Sequence, residues 1–379
     1  MMSRAPTARS RPGRDILEVD GPRVTAELIS VIMHASLHRE KTETIVPKTL
    51  TARQFWIRAP GRGEIVTADL DPRPADHVLV RTLYSGISRG TEALVFRGEV
   101  PVSQHQAMRA PFQEGEFPGP VKYGYCSVGE VLEEPDYPGR GSVGRIVFCL
   151  YPHQDLYSVP ASAVSDLPDD LPPERAVLTA NMETAVNAVW DARPAAGDVI
   201  LVIGAGVVGL LIGWLCRQVP GTRVSVVDVD PSRQSVAQEL GLEFLDTAPL
   251  DADADLVFHA SGSSDGLASA LGAAGTEATV LEVSWHGTRS VPLPLGEAFH
   301  SRRLTLRSSQ VGSIPPERAA RWSRTRRREL ALDLLRDTRL DALITDETDF
   351  DTLPDVMAEL SRNPRGVLCH RIRYPTRAL

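Results

Sequence analysis

The chain has 379 residues, of which 42% are hydrophobic and 24% are charged, the composition of an ordinary globular protein. At roughly 150 residues per domain, this length predicts two domains. A net charge of −8 argues against nucleic acid or an anionic membrane as a partner. The four cysteines form no Cys-x-x-Cys pair, and the sequence shows neither a secretory signal nor a membrane-spanning run. We therefore expect a cytoplasmic protein with reduced thiols.

The first 50 residues differ in composition from the rest of the chain. Arg4, Arg9, Arg11 and Arg14 lie among Ser, Pro and Gly, without an apolar period. Because such a segment buries little apolar surface, residues 1–50 are predicted to be a poorly ordered N-terminal extension. An arginine-rich arm that contacts a partner is the alternative.

Short strand patterns dominate the next part of the chain. They are separated by Pro and Gly clusters, as in an all-β barrel-like unit, and lie at Phe55–Ile57, Val78–Tyr84, Val128–Leu132 and Arg145–Leu150. Apolar residues at helical spacing then predict a connecting helix over Ala176–Trp190. We assign residues 51–185 to this first domain.

Strand and helix patterns alternate from Asp198 onwards. Residues 199–203 are continuously apolar, as expected for a strand that is covered on both faces. The alternation predicts a doubly wound parallel sheet, so the fold class is α/β plus β. We assign residues 186–320 to this second domain and residues 321–379 to a C-terminal return to the first.

A glycine-rich turn joins the first strand of the second domain to a helix, with the sequence Gly204-Ala-Gly206-Val207-Val208-Gly209. This context predicts a dinucleotide-binding turn. Gly204 permits the tight turn, Gly206 lets the backbone approach a pyrophosphate, and Gly209 lets helix and strand pack closely. The helix N-terminus would then hold the phosphates.

An acidic residue, Asp228, closes the next strand about 20 residues after the turn, as the dinucleotide motif requires. A carboxylate there binds the adenosine ribose hydroxyls and repels a 2′-phosphate, which favours NAD as the cofactor. Arg233 lies nearby in the sequence and could bind a 2′-phosphate, so NADP remains the alternative cofactor.

The order of these domains resembles the medium-chain dehydrogenase/reductase superfamily, which includes the zinc alcohol dehydrogenases and quinone oxidoreductases. The resemblance extends over residues 52–374 and is carried by Tyr84-Ser-Gly-Ile-Ser-Arg-Gly-Thr-Glu92, Gly124-Tyr-Cys-Ser-Val-Gly129, the glycine-rich turn and Ala260-Ser-Gly262. The first motif is similar to the branch near the bacteriochlorophyllide hydroxyethyl dehydrogenases.

The resemblance implies a GroES-like β-barrel domain followed by a Rossmann domain. It also implies cofactor contacts at the strand ends that carry Ser261, Gly262, Ser284 and Trp285. Members of the superfamily commonly pair the edge strands of their Rossmann sheets, so we expect a homodimer, with Val291–Leu295 near that edge.

The zinc ligands of the superfamily are replaced in this sequence. Ser88 stands at the place of the catalytic cysteine, Tyr125 at that of the histidine, and the four-cysteine structural lobe is missing. Because Ser and Tyr are poor zinc ligands, we predict a zinc-independent protein with no bound metal. A site improvised from Cys126, His153 and Glu183 is the alternative.

Carbonyl reduction without zinc still needs a proton donor, and Tyr125 is the predicted donor. Lys122 could lower the pKa of Tyr125 or hold an anionic substrate. Ser88 and Thr91 could relay protons, as hydroxyls of this loop do in the resembled family, and His153 could complete the relay. The alternatives are a packing tyrosine, a solvated lysine, hydroxyls that cap a turn, and a structural histidine.

These features predict an NAD(P)-dependent oxidoreductase that moves hydride between nicotinamide and a carbonyl or alcohol carbon of a small molecule, in secondary or specialised metabolism. The hydroxyl-rich site favours alcohol or ketone chemistry over alkene reduction. The long loop over residues 99–118 is predicted to cover the substrate. The alternative is a non-catalytic nucleotide-binding or redox-sensing protein that kept the fold and lost the zinc chemistry.

Overall fold

The computed structural model describes residues 49–135, 141–363 and 365–376. The predicted N-terminal extension lies outside the described residues, apart from its last two positions. Within the described ranges, no helix is long and apolar enough to cross a membrane.

Short strands come first in the described chain, and strands alternating with helices follow. The elements in chain order are β1 (Thr51–Ala59), β2 (Arg62–Asp69), β3 (His77–Ile87), α1 (Arg89–Phe96), β4 (Glu114–Gly115), β5 (Val121–Lys122), β6 (Ser127–Glu133), β7 (Ile146–Cys149), β8 (Leu156–Pro160), β9 (Val164–Asp166), α2 (Pro173–Ala176), α3 (Thr179–Ala192), β10 (Val199–Ile203), α4 (Val207–Cys216), β11 (Arg223–Val227), α5 (Arg233–Glu239), β12 (Glu243–Leu245), β13 (Ala254–His259), α6 (Ser264–Ala273), β14 (Ala274–Glu282), β15 (Thr305–Ser308), α7 (Pro316–Ala319), α8 (Arg324–Leu334), β16 (Ile344–Asp349), α9 (Leu353–Arg362) and β17 (Cys369–Arg373).

Two sheets contain the strands of the first half of the chain. One has the order β2-β1-β5-β4, and the other has the order β16-β17-β3-β6-β7-β9, with β8 also paired to β3. Strand β17 comes from the end of the chain and runs antiparallel to β3, with His370 opposite Ile87. The C-terminal segment therefore supports the end of β3, where Ser88 follows.

The third sheet is parallel and has six strands in the order β12-β11-β10-β13-β14-β15. Its central strand β10 is almost wholly buried, because its apolar side chains are covered on both faces. The strand order reverses between β10 and β13, and ligands of open α/β sheets bind at the carboxyl ends of the strands beside such a reversal. This reversal lies directly at the predicted glycine-rich turn.

Helix α3 packs against both halves of the molecule. Its buried Met182 and Val186 belong to the same apolar cluster as Val128 of β6 and Val202 of β10. One continuous core therefore joins the β sheets to the parallel sheet and fixes the cleft between them.

Candidate active site

The glycine-rich turn has the backbone shape that a phosphate-binding turn needs. Gly204 has φ +108°, and a Cβ on it would come within 2.6 Å of the Ser261 nitrogen. A Cβ on Gly209 would lie 1.9 Å from the Gly204 oxygen, so a side chain there would separate the turn from helix α4. By contrast, the space beside Gly206 is open apart from Arg89, and a pyrophosphate can approach the backbone there.

Asp228 holds this turn in place. Its Oδ2 accepts a hydrogen bond from the Ala205 N–H at 2.8 Å, and its Oδ1 accepts one from the Asp230 N–H at 2.9 Å. Each carboxylate oxygen has a second lone pair, so the group can still accept hydrogen bonds from a ribose. Asp228 is thus suited to both supporting the turn and recognising the cofactor.

The guanidinium of Arg233 is engaged by backbone carbonyl oxygens. The residue is buried, and its guanidinium donates to the Gly366 and Val367 carbonyl oxygens at 3.2 and 3.0 Å. It therefore joins helix α5 to the loop before β17, and we no longer propose it as a cofactor ligand.

A second arginine, Arg89, faces the glycine-rich turn. Its Nη2 lies 4.0 Å from where a Cβ on Gly206 would be, and its Nη1 donates to the Val367 oxygen at 2.6 Å. Burial and the nearby Arg233 charge lower the pKa of Arg89, although the carboxylates of Asp228 and Asp230 oppose that shift. In the sequence Arg89 is only one residue of the motif between Tyr84 and Glu92, and nothing in that motif indicated that it faces the glycine-rich turn.

Three polar side chains meet at Ser88, the residue that precedes Arg89. The Asn181 Nδ2 of helix α3 donates to the Ser88 Oγ at 3.3 Å, and the Ser88 hydroxyl lies close enough to the Tyr125 phenol to oppose the rise in its pKa. Thr91 lies in the first turn of α1, half-buried. The predicted residues Ser88 and Tyr125 are thus brought together, and Asn181 is a member of the site that no sequence motif indicated.

The prediction that Lys122 lowers the pKa of Tyr125 is wrong. Lys122 is fully buried and donates to Gln154 Oε1 at 2.7 Å and to Glu114, so it is not a solvated charge either. Burial lowers the pKa of Lys122, whereas burial and the charges of Tyr123 and Glu92 raise that of Tyr125 well above its usual value. The phenol is therefore held in its protonated form.

His153 belongs to a buried network that supports the loop rather than a relay from it. Its Nε2 is 2.8 Å from Glu92 Oε2, and its Nδ1 is 2.7 Å from Ser85 Oγ. The other oxygen of Glu92 accepts from the backbone N–H of Ser88 at 2.7 Å. Because the path reaches Ser88 at its backbone and not at its hydroxyl, the relay predicted to end on His153 is not continuous among the described hydrogen bonds.

The loops after β13 and β14 are bonded to each other beside the cleft. The Gly262 N–H donates to Ser284 Oγ at 3.0 Å, and Ser261 Oγ lies 2.7 Å from His259 Nε2. Trp285 leaves its own domain and packs against the same apolar cluster as Tyr125. Trp285 and Tyr125 thus share one apolar cluster, and their predicted roles in the site stay predictions.

The donors at the family's zinc position do not suit a zinc ion. Ser88 offers a neutral hydroxyl, burial keeps the Tyr125 phenol protonated, and burial raises the pKa of the Cys126 thiol well above its usual value. Glu183, a member of the alternative site, instead pairs with Arg327 at 3.2 Å. Among the described residues, the only converging group of three or more His, Cys, Asp or Glu side chains lies in the other domain, and it does not include Cys126, His153 or Glu183.

Comparison with known proteins finds dehydrogenases at low sequence identity. No protein-family model matches the chain. D-guloside 3-dehydrogenase of Escherichia coli (strain K12) is 23% identical over 330 residues, which cover 80% of this chain and 92% of that protein.

Solved structures share the whole described architecture. An inferred zinc-binding dehydrogenase from Sinorhizobium meliloti 1021, bound to NADP, superposes with a TM-score of 0.68 at 18% identity, over 86% of this chain and 99% of that one. An alcohol dehydrogenase from Escherichia coli CFT073, complexed with NADH, gives 0.68 at 17% identity, over 85% of this chain and 99% of that one. These relatives and neighbours are medium-chain dehydrogenases/reductases, so the superfamily resemblance and the predicted GroES-like plus Rossmann fold are confirmed. The branch near the bacteriochlorophyllide hydroxyethyl dehydrogenases stays a prediction.

Proposed function

We propose that this chain, which has the fold and the relatives of the medium-chain dehydrogenases/reductases, is an NAD(P)-dependent oxidoreductase of a small ketone or secondary alcohol. One observation carries the proposal: two consecutive residues serve the two halves of the reaction. Arg89 faces the glycine-rich turn, and the Ser88 hydroxyl lies close enough to the Tyr125 phenol to act on its pKa. A proton donor is thus held beside a dinucleotide turn.

When bound, the nicotinamide supplies or accepts a hydride at its C4 atom, and the chain's own residues bind the substrate oxygen and move its proton. Because Asn181 donates to Ser88 Oγ, the Ser88 hydroxyl proton can be directed at the Tyr125 oxygen. The Tyr125 O–H then remains available for the substrate. During reduction the carbonyl carbon gains one hydride and its oxygen gains the Tyr125 proton, and the phenolate that remains takes a proton from solvent after the product leaves.

The raised pKa of Tyr125 keeps the phenol in the form that reduction needs. An alkoxide is about as basic as hydroxide, so a phenol still gives it a proton downhill. Oxidation needs the opposite step, in which an ionised Tyr125 removes the proton of an alcohol. Burial disfavours the ionised form, so the resting enzyme near neutral pH is in the state that is ready for ketone reduction, which we propose as the preferred direction.

We also propose that the reaction proceeds without zinc at the family position. The support is chemical: a hydroxyl and a protonated phenol occupy the places of the thiolate and imidazole ligands. The relatives are dehydrogenases by name, which favours an enzyme over a non-catalytic sensor. The preference for NAD follows from Asp228 and from the engagement of Arg233 by backbone carbonyls.

A homodimer in the cytoplasm completes the proposal. Strand β15 lies at the edge of the six-stranded sheet. In the segment before it, Leu295 is 47% exposed and could contact a second copy, whereas Val291 and Leu293 pack on their own domain. A monomer mass by light scattering at micromolar concentration would contradict the dimer.

The four buried cysteines are all free thiols, which suits a reducing compartment.

The experiment that tests the function uses NADH carrying deuterium at C4 and a panel of small ketones, keto-sugars and aldehydes. We expect deuterium on the carbinol carbon of at least one product, transferred from one face of the nicotinamide. Tight NADH binding with no deuterium transfer to any member of the panel would favour the sensor and contradict the proposal.

A further inference from the structure

Three side chains that the proposed reaction does not use converge at the carboxyl ends of β13 and β14. They are His259, Glu282 and His286. The Nδ1 of His259 is 2.7 Å from Glu282 Oε2, and the Nε2 of His286 is 3.3 Å from the same oxygen. The three ligand atoms all lie within 4.8 Å of one another. Two imidazole nitrogens and one carboxylate oxygen at such spacing are a ligand set that divalent transition metals bind.

The neighbours of these groups orient them as the neighbours of metal ligands do. The Nε2 of His259, the nitrogen that faces away from Glu282, is 2.7 Å from Ser261 Oγ. The second oxygen of Glu282, Oε1, accepts from the Ser284 N–H at 2.6 Å. Metal-binding histidines and carboxylates carry such second contacts, which fix the ring tautomer and the carboxylate plane.

Charge and exposure at the cluster also suit a cation. Burial alone raises the pKa of Glu282, but its bonds to His259, Ser284 and His286 outweigh burial and keep the pKa below its usual value. The side chain of His259 is fully buried, whereas those of Glu282 and His286 are 14% and 15% exposed. A metal ion held there would keep an open coordination position toward the exposed side.

We propose that His259 Nδ1, Glu282 Oε2 and His286 Nε2 bind one divalent transition metal ion, with zinc the favoured ion. The expectation of no metal rested on the two zinc positions of the resembled family and did not weigh these residues. Within the described part of the chain, none of the three side chains is hydrogen-bonded to Ser88 or Tyr125.

The bound ion ties a loop that reaches the first domain. His286 is followed by Gly287 and Thr288, and the Thr288 N–H donates to the Glu99 carbonyl oxygen at 3.1 Å. A Cβ on Gly287 would lie 2.6 Å from the same oxygen, so the loop and the segment that follows α1 are in close contact. Joining His286 to β13 through a metal therefore fixes this loop, and with it Trp285, against the cleft.

The test measures metal binding by the full-length protein after its affinity tag has been removed. Wild type is incubated with zinc, desalted and analysed for metal content, and cobalt(II) is titrated while the visible absorption is followed. We expect about one ion per chain and a higher melting temperature with zinc than with a chelator. His286→Ala and Glu282→Gln should each weaken zinc binding by 100-fold or more and abolish that increase.

His300→Ala is the matched control, because His300 is an exposed histidine of the same domain. It should bind zinc as wild type does. If a ligand variant fails to fold, the other ligand variant and the cobalt spectrum of wild type still decide the question. The absence of saturable binding by wild type, or binding that persists in both ligand variants, would overturn the proposal.

Discussion

Arg89 and Gly206 face each other across the cleft, with the Arg89 Nη2 4.0 Å from where a Cβ on Gly206 would be. Arg89 begins helix α1 of the first domain, and Gly206 caps helix α4 of the second. The guanidinium therefore lies beside the helix N-terminus that would hold a pyrophosphate. Because Ser88 precedes Arg89, the same loop also sets the position of the Tyr125 phenol.

Replacing Arg89 should weaken cofactor binding more than chemistry. A hydrogen bond to a charged group contributes roughly 1.5–3 kcal/mol, so Arg89→Gln should raise the Kd for NADH on the order of 10-fold to 100-fold. Arg62→Gln on the exposed β1–β2 hairpin is the control and should leave the Kd unchanged. Fluorescence titration of NADH decides the matter, and equal affinity for Arg89→Gln and wild type would show that Arg89 does not contact the cofactor.

Asp228 should determine the preference for NAD. Asp228→Asn retains an oxygen that can accept the Ala205 N–H but removes the charge that repels a 2′-phosphate. We expect wild type to bind NADH more tightly than NADPH. In the variant, the ratio of the NADPH dissociation constant to the NADH dissociation constant should fall by about 10-fold. Dissociation constants for both cofactors measure it. Equal or tighter NADPH binding by wild type contradicts this assignment.

The buried tyrosines should make the protein sensitive to alkaline pH. Burial raises the pKa of Tyr125, and also that of Tyr123 and Tyr374, above the reference value near 10. The folded state therefore keeps protons that the unfolded chain releases, so their stabilisation is complete below about pH 10 and is lost as the pH rises further. Melting temperatures between pH 7 and 11 should fall only at the alkaline end.

The same shift predicts that Tyr125 adds no basic limb to the pH–rate profile below about pH 10. Tyr125→Phe should therefore scale the profile down without changing its shape in that range. Tyrosinate absorbance that assigns an ionisation below pH 9 to Tyr125 would contradict the protonated phenol on which the preferred direction rests.

Glu92 should matter for stability through two partners. Removing its carboxylate in Glu92→Ala leaves His153 Nε2 and the Ser88 N–H without this acceptor in a buried place. Each buried polar group left unpaired costs about 1–3 kcal/mol, so the melting temperature should fall on the order of 5–10 °C. Glu92→Gln retains an oxygen and should lose less. Equal melting of Glu92→Ala and wild type would refute a supporting role for this network.

Local motifs made part of the site predictable from the sequence. The roles of Gly204, Gly206 and Gly209 depend on backbone shape within six consecutive residues, and Asp228 lies one strand away. The predicted parallel strands also form, with the reversal of strand order at the turn. Such features can be predicted from the local sequence, without knowledge of contacts between residues that are far apart in the chain.

Side chains whose partners are distant in sequence were the ones misjudged. Lys122 was predicted to act on Tyr125, three residues away, but the buried lysine donates to Gln154 instead. Arg233 was predicted to lie near the cofactor, but it donates to carbonyl oxygens of the loop before β17. Asn181 reaches Ser88 from a helix more than 90 residues further along the chain, without any motif to mark it. Partner choice in these cases is decided by packing, which spacing in the sequence does not encode.

The central claim is that Tyr125 gives the proton that completes ketone reduction, and single-turnover oxidation of bound NADH tests it most directly. Tyr125→Phe keeps the ring and removes only the hydroxyl, and Tyr123→Phe, whose ring packs edge-on at 5.9 Å, is the matched control. We expect the rate of NADH oxidation to be about 100-fold lower for Tyr125→Phe, with unchanged NADH affinity. The rate for Tyr123→Phe should be close to that of wild type. A Tyr125→Phe rate equal to that of wild type would contradict the central claim.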